Sequence, residues 1–175
     1  MTLIEYIQSL NSRLQQGHTS EHTFRGDLEQ LLRSLLPKHH IINEPSKISD
    51  CGNPDYVVTQ NKVPIGYIEA KDIGKDLKHK LYKEQFTRYR NALDNLIITD
   101  YVWFQFYVNG EFTAEIRLGT LSENDTFITA DESQFKKFDN LLQEFATKVT
   151  QSIKSPVKLA ELMAGKARLL ENILE

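Results

Sequence analysis

The spacing of apolar residues along the chain predicts alternating helices and strands. Apolar residues three and four positions apart predict helices over residues 3–16, 20–36, 77–93, 132–152 and 157–175. Runs rich in β-branched and aromatic residues predict strands over residues 39–44, 55–59, 64–70, 95–100, 101–108 and 111–118, with a short edge strand at 126–129. This order predicts an α/β fold in which helices flank both faces of a mixed central β-sheet.

Two neighbouring predicted strands carry charged residues at corresponding ends. Residues 55–59 and 64–70 read as a β-hairpin, with turn character between them. Because side chains alternate along a strand, Glu69 and Lys71 lie on one face and Ile68 and Ala70 on the other. Antiparallel pairing would bring the carboxylate of Asp55 near that of Glu69. Such a pair needs a compensating cation, and hard oxygen ligands suit Mg²⁺.

Composition and charge restrict the remaining possibilities. With 175 residues, of which 40% are apolar, the chain can bury one core. It has no long uncharged apolar run and no basic segment near its start, so we expect a cytoplasmic protein without a membrane segment. The lone Cys51 excludes an internal disulfide. The net charge of −3 predicts weak intrinsic affinity for nucleic acid.

The hairpin residues also carry a resemblance to a known family. Pro54-Asp55, a gap of thirteen residues and then Glu69-Ala70-Lys71 resemble the motif of the PD-(D/E)xK nuclease superfamily. Glu29 lies upstream on a predicted helix, where members often carry another acidic residue. The stretch from Gln85 to Tyr89 matches the Gln-x-x-x-Tyr element of the RecB-like branch. Within the superfamily, the chain resembles the amino-terminal nuclease domain of Type ISP and related Type I-like single-chain restriction-modification enzymes.

The resemblance implies a restriction-endonuclease-like core and a Mg²⁺-dependent DNA endonuclease, with Mn²⁺ as a possible substitute. It assigns metal ligation to Asp55, Glu69, the backbone of Ala70 and Glu29. Lys71 would orient the attacking water or neutralise the scissile phosphate, and it is expected to stay cationic beside two carboxylates. Gln85 completes the catalytic set. Spacing alone leaves Glu29 open to a second interpretation, an exposed helical glutamate.

DNA contacts are predicted downstream of the hairpin. Gln85 and Tyr89 share a helix face and would position the DNA backbone, although Tyr89 is equally interpretable as a core aromatic residue. Between residues 71 and 90 there are seven Lys or Arg against three Asp or Glu. From this stretch we expect DNA contacts by Lys75, Lys78 and Arg88, with a solvated helix face as the alternative. The aromatic run over residues 101–107 is predicted to be a buried central strand.

The predicted domain organisation is a nuclease domain over residues 1–153 followed by a helical segment over 154–175. That last helix is expected either to pack back onto the domain or to couple it to helicase/translocase and methyltransferase domains, as the resemblance implies. Three alternative functions remain open at this point. They are a non-catalytic nucleic-acid or protein interaction module, a freestanding repair-type nuclease, and an acid–base enzyme that uses Asp55 and Glu69 without metal.

Overall fold

A computed structural model gives the structure of the protein and describes residues 1–17, 22–45 and 52–148. Its central sheet has six strands in chain order: β1 His40–Asn43, β2 Tyr56–Gln60, β3 Val63–Ala70, β4 Asn95–Thr99, β5 Trp103–Val108 and β6 Glu111–Arg117. The α-helices of the described ranges are α1 Leu3–Gln16, α2 Arg25–Leu35, α3 Lys80–Ala92 and α4 Phe135–Thr147. The predicted α/β fold with a mixed sheet is confirmed, and it is consistent with a restriction-endonuclease-like core.

The connections explain why the sheet is mixed. Neighbouring strands run antiparallel except β3 and β4, which are parallel. Parallel neighbours need a crossover connection, and α3 provides it between these two strands. The carboxyl end of β3 therefore leads directly into the segment before α3, so residues of both elements can meet at that end of the sheet.

The β2–β3 hairpin closes through a two-residue turn. Asn61 and Lys62 have positive φ angles of 50° and 64°, the conformation that a type I′ turn requires. The ladder pairs Tyr56 with Ile68, and continuing this register sets Asp55 opposite Glu69. The antiparallel hairpin that the sequence predicted is thus present, with Asp55 immediately before β2.

The two faces of the sheet pack against different helices. Ile68 and Ala70 point into the larger core, which also contains buried residues of α1, α2 and α4. The opposite face of β3 carries Tyr67, which packs against a smaller cluster containing Phe86 and Tyr89 of α3. This alternation along β3 places Glu69 on the face that α3 covers.

Several predicted boundaries shift. The α1 boundaries are as predicted, whereas α2 begins at Arg25 because a turn closed by the Arg25 N–H on the His22 carbonyl precedes it. Helix α3 begins at Lys80, after a series of turns and with the His79 side chain as its cap. The aromatic run is confirmed as a buried strand between β4 and β6, but β5 begins at Trp103 and not at Tyr101, which has a φ of 73° and lies in the bend after β4.

The region after β6 differs most from the prediction. Strand β7 (Gly119–Leu121), which was not predicted, pairs with β8 (Ile128–Ala130) in a separate two-stranded sheet. A 3-10 turn at Glu132–Gln134 precedes α4. Residues 149–175, which include the predicted last helix and the predicted boundary at 153, lie outside the described residues, as does Cys51. Within the described ranges, no helix has the length and apolar character needed to cross a membrane.

Candidate active site

Asp55 is held against the end of β3. Its Oδ2 accepts a hydrogen bond of 2.8 Å from the backbone N–H of Ala70. Its side chain is 11% exposed. The hairpin register and this hydrogen bond together fix the carboxylate beside the Glu69-Ala70-Lys71 segment, so the two halves of the predicted motif meet.

Glu69 is the most deeply buried acidic group of the site, with 3% of the residue exposed. Its Oε1 accepts hydrogen bonds from Lys71 Nζ at 2.7 Å and from Gln85 Nε2 at 2.9 Å. Its Oε2 is buried and has no hydrogen-bond partner within the described part of the chain. An unsatisfied carboxylate oxygen in the interior is costly, so this atom is a strong candidate for binding a ligand.

The surroundings of Glu69 change its acidity. Burial and, to a lesser extent, repulsion from Asp55 raise the pKa of the Glu69 carboxyl to about 7, whereas Lys71 opposes the shift. The ordinary value for the group is 4.5. Near neutral pH, Glu69 is therefore divided between its protonated and ionised forms, as buried carboxyls at functional sites often are.

This raised pKa predicts a pH-dependent stability. The folded state holds the Glu69 proton more tightly than the unfolded state. The resulting stabilisation is complete below the ordinary pKa of 4.5 and is lost as the pH rises through about 7. In the metal-free protein, Glu69→Gln removes this dependence. The test compares urea unfolding of wild type and variant from about pH 5 to about pH 8. Between these pH values, we expect the free energy of unfolding of the wild type to fall by on the order of a few kcal/mol relative to that of the variant. If the free energies of unfolding of wild type and variant differed by the same amount across this pH range, the raised pKa of Glu69 would be contradicted.

Lys71 is fixed by one carboxylate and two aromatic rings. Its Nζ lies 2.7 Å from Glu69 Oε1 and 5.4 Å and 5.8 Å from the ring centroids of Tyr82 and Phe86. The side chain is 14% exposed. Cation–π contacts of this kind attract an ammonium group to the ring faces. The rings of α3 therefore hold a cation next to the carboxylate pair.

Arg25 is a site residue that the sequence reasoning missed. It opens α2, and its Nη2 donates to Asp55 Oδ1 at 2.6 Å while Nη1 donates to Glu44 Oε1. No local pattern in the sequence signals this role, because the predicted helix over residues 20–36 does not place Arg25 in its first turn. A cation in the first turn of a helix is unfavourable toward the helix dipole, so a buried arginine there requires a carboxylate partner.

Two predicted site residues have structural contacts of their own. Tyr89 is 3% exposed, and its hydroxyl donates to the Asn53 carbonyl at 3.0 Å, just ahead of Asp55. Glu29 accepts hydrogen bonds from Arg33 and from Asn43 Nδ2. Tyr89 thus supports the loop that carries Asp55, and the predicted roles of both residues toward DNA or metal remain predictions.

The predicted basic surface is exposed. Lys75, Lys78 and Arg88 lie at the surface, and Lys78 Nζ is 3.9 Å from Glu115 and 5.3 Å from the Trp103 ring centroid. A surface depression on α3 is lined by Lys80, Lys83, Glu84, Thr87, Arg88 and Asn91. Cations therefore outnumber acidic groups on the exposed side of α3, next to the helix face that covers Glu69.

The donor atoms of the site suit a hard cation. Across the described ranges, no three His, Cys, Asp or Glu side chains converge as a metal-binding group. Asp55, Glu69 and the backbone of Ala70 nonetheless supply oxygen atoms at one end of the hairpin, and Glu69 Oε2 has no partner there. Mg²⁺ completes its coordination with water and commonly uses one or two carboxylates. The residues present therefore fit this ion.

Comparison with known proteins finds a likeness in structure. No protein-family model matches the chain, and no curated protein matches it in sequence. A solved electron cryomicroscopy structure of a DrdV–DNA complex is similar, with a TM-score of 0.63 and 19% sequence identity. The likeness covers 88% of this chain and 14% of that one. At this identity it shows a shared fold.

Proposed function

We propose that this chain is a Mg²⁺-dependent DNA endonuclease that hydrolyses phosphodiester bonds. The observation that carries the proposal is the pair of carboxylates, Asp55 and Glu69, set side by side with Lys71 and with one buried carboxylate oxygen unpartnered. A scaffold that only bound a partner would have no need for so costly an arrangement in its interior.

Each residue has a distinct part in the proposed reaction. Asp55, Glu69 and the carbonyl of Ala70 hold the metal, and Glu29 is assigned to an outer or second ion. When bound, Mg²⁺ stabilises negative charge on the phosphoryl group and lowers the pKa of a bound water. Lys71 orients the attacking water or neutralises the scissile phosphate.

Gln85 acts on this chemistry through Glu69. Its side-chain amide donates a hydrogen bond to Oε1 of Glu69. This bond restrains rotation of the Glu69 carboxylate and so keeps Oε2 directed toward the proposed ligand position. Tyr89 acts at greater distance, through the Asn53 carbonyl and the loop before Asp55. These two residues, which form the Gln-x-x-x-Tyr element, then position the acidic groups in addition to the DNA backbone.

The basic surface and the fold support the proposed substrate and context. The similar structure is a complex with DNA. Lys75, Lys78 and Arg88 offer phosphate contacts on the surface of this chain. Because the chain corresponds to 14% of that neighbour, we assign it as the nuclease module of a larger cytoplasmic restriction-modification enzyme. Helicase/translocase and methyltransferase activities would lie in the same polypeptide or complex.

A metal-independent acid–base enzyme is the second candidate. It is favoured by one observation, the pKa of about 7 that burial and Asp55 give to Glu69, since a general base works best near the operating pH. The two candidates differ in their response to a chelator. Activity that persists in EDTA would support the acid–base enzyme, and activity restored by Mg²⁺ or Mn²⁺ supports the nuclease.

The isolated chain is expected to nick DNA weakly and without sequence preference. A net charge of −3 gives little long-range attraction for DNA, and one basic helix neutralises few phosphates. Supercoiled plasmid and duplexes of varied sequence are incubated with the chain in Mg²⁺, Ca²⁺ or EDTA, at low and at near-physiological salt. We expect slow nicking in Mg²⁺ and DNA binding without efficient cleavage in Ca²⁺. The affinity for DNA should fall steeply as the salt concentration rises.

Two outcomes would change the proposal. No nicking of any substrate in Mg²⁺ or Mn²⁺, by a folded chain at low salt, contradicts the nuclease assignment. Tight cleavage at one sequence by the isolated chain would instead show that it reads sequence itself, as a freestanding endonuclease does. Tethering to DNA through a fused binding domain then provides a positive control, because it raises the effective concentration of the site.

A further inference from the structure

Within the described part of the chain, Arg25 forms an ion pair with the predicted metal ligand Asp55. Its side chain is 10% exposed, and the Nη2–Oδ1 distance of 2.6 Å is that of a charge-assisted hydrogen bond. The position is well supported, because the Tyr56 hydroxyl donates to the Arg25 carbonyl at 2.9 Å. Both the backbone and the side chain of Arg25 are therefore anchored to the residues that begin β2.

The charges explain why such an arginine is needed. Asp55 and Glu69 repel each other, and both are mostly removed from water. Buried carboxylates without compensating charge are strongly destabilising. Among the described residues, Lys71 supplies a compensating charge to Glu69, and the guanidinium of Arg25 supplies one to Asp55.

The same contact conflicts with metal binding through Asp55. Oδ2 accepts the Ala70 N–H, and Oδ1 accepts Arg25. A divalent ion at Oδ1 would lie within a few ångströms of the guanidinium, and the two positive charges would repel each other strongly at that distance. Glu44 offers a second place for the guanidinium, since its Oε1 already accepts from Nη1 and its side chain is 65% exposed.

We propose that Arg25 is an internal counter-ion that competes with the metal for Asp55, and that metal binding shifts the guanidinium toward Glu44. The inference rests on the proposed metal-dependent function and adds a residue that sets the metal affinity. Arg25 is a positioning residue in this scheme, because it acts through Asp55 and not on the DNA. The arrangement lets the metal-free protein keep its acidic pair folded, at the expense of metal affinity.

The test is calorimetric titration of MgCl₂ and MnCl₂ into the DNA-free full chain. Arg25→Gln should bind either ion more tightly, on the order of tenfold, the low end of what a close charge pair contributes. Its metal-free form should unfold at a lower temperature than wild type, and added Mg²⁺ should raise that temperature by more than in wild type. Arg13→Gln, which breaks the Arg13–Asp27 ion pair outside the site, is the matched control and should leave metal affinity unchanged.

Further variants keep the test decisive if Arg25→Gln does not fold. Arg25→Lys retains the charge but cannot bridge two carboxylates, so its affinity for the metal ion should lie between those of wild type and Arg25→Gln. Glu44→Gln should weaken metal binding in the wild-type background and have a smaller effect when combined with Arg25→Lys or Arg25→Gln. Equal effects in all backgrounds would mean that Glu44 acts only as a distant charge, and would overturn its role as the acceptor.

Metal binding by the wild type distinguishes failure of the proposed metal site from failure of the proposed competition by Arg25. If wild type binds no divalent ion, the metal site fails, and the competition fails with it. If wild type binds the ion and Asp55→Asn does not, the site stands. In that case, unchanged or weaker binding by folded Arg25→Gln or Arg25→Lys overturns the competition alone.

Discussion

Replacing Asp55 with Asn or Ala is expected to abolish plasmid nicking in Mg²⁺. Asp55 is the proposed principal metal ligand, and its two oxygens connect Arg25 to the backbone of Ala70. A catalytic metal supplies several kcal/mol of transition-state stabilisation, and each ~1.4 kcal/mol is a factor of ten in rate. Cleavage should therefore fall by at least about a thousandfold. The measurement is the rate of conversion of supercoiled to open-circular plasmid.

Asp55→Asn separates chemistry from folding better than Asp55→Ala does. The alanine removes the buried carboxylate that pairs with Arg25, and this loss costs stability. The asparagine keeps the volume of the side chain and an acceptor for Ala70, so its circular dichroism spectrum should match that of wild type. Glu144→Gln, which changes an exposed carboxylate on α4, should cleave normally. Full nicking by Asp55→Asn in Mg²⁺ would refute the assignment.

Lys71→Ala is expected to lose cleavage while it keeps its affinity for metal. In the proposed reaction the ammonium acts on the water and the phosphate, and removal of one such electrostatic contact typically costs a factor of about a hundred to a thousand in the chemical step. Metal binding by titration calorimetry should change much less. The two measurements together distinguish a catalytic lysine from one that only maintains the fold.

The pH of this experiment matters because Lys71 also lowers the pKa of Glu69. Without the lysine, Glu69 takes up its proton more readily, and metal binding near neutral pH would weaken for that reason alone. The titration is therefore made well above pH 7, where the wild-type Glu69 is ionised. Lys137→Ala removes an exposed lysine of α4 as a matched change in charge. Collapsed metal affinity with surviving cleavage at high metal would make Lys71 structural.

The hairpin could be predicted from the sequence because its signals are local. β-Branched residues on either side of Asn61 and Lys62 define two strands and the turn between them, and the period of two fixes which face Glu69 occupies. The contact between Asp55 and the end of β3 then follows from the register. A local pattern of this kind determines geometry almost without help from the rest of the chain.

The contacts of Arg25 could not be predicted in the same way. Its distance from Asp55 along the chain is 30 residues, and no periodicity connects a helix start to a strand in a different part of the fold. The contact of Tyr89 could not be predicted for the same reason. Its spacing from Gln85 shows that the two residues share a helix face, but it does not show which loop the Tyr89 hydroxyl reaches. Strand β7 was missed because three residues, Gly119 to Leu121, are too few to show alternation.

The short turn between β2 and β3 also has a consequence for the order of folding. Hairpins with two-residue loops form within microseconds, whereas the parallel pairing of β3 with β4 must wait until the intervening crossover has been ordered. We therefore expect Asp55 and Glu69 to come together before Gln85 of α3 reaches the pair. While the hairpin is still exposed to water, the high dielectric constant keeps the repulsion between the Asp55 and Glu69 carboxylates small. The helices then pack against a pair of carboxylates that is already in register.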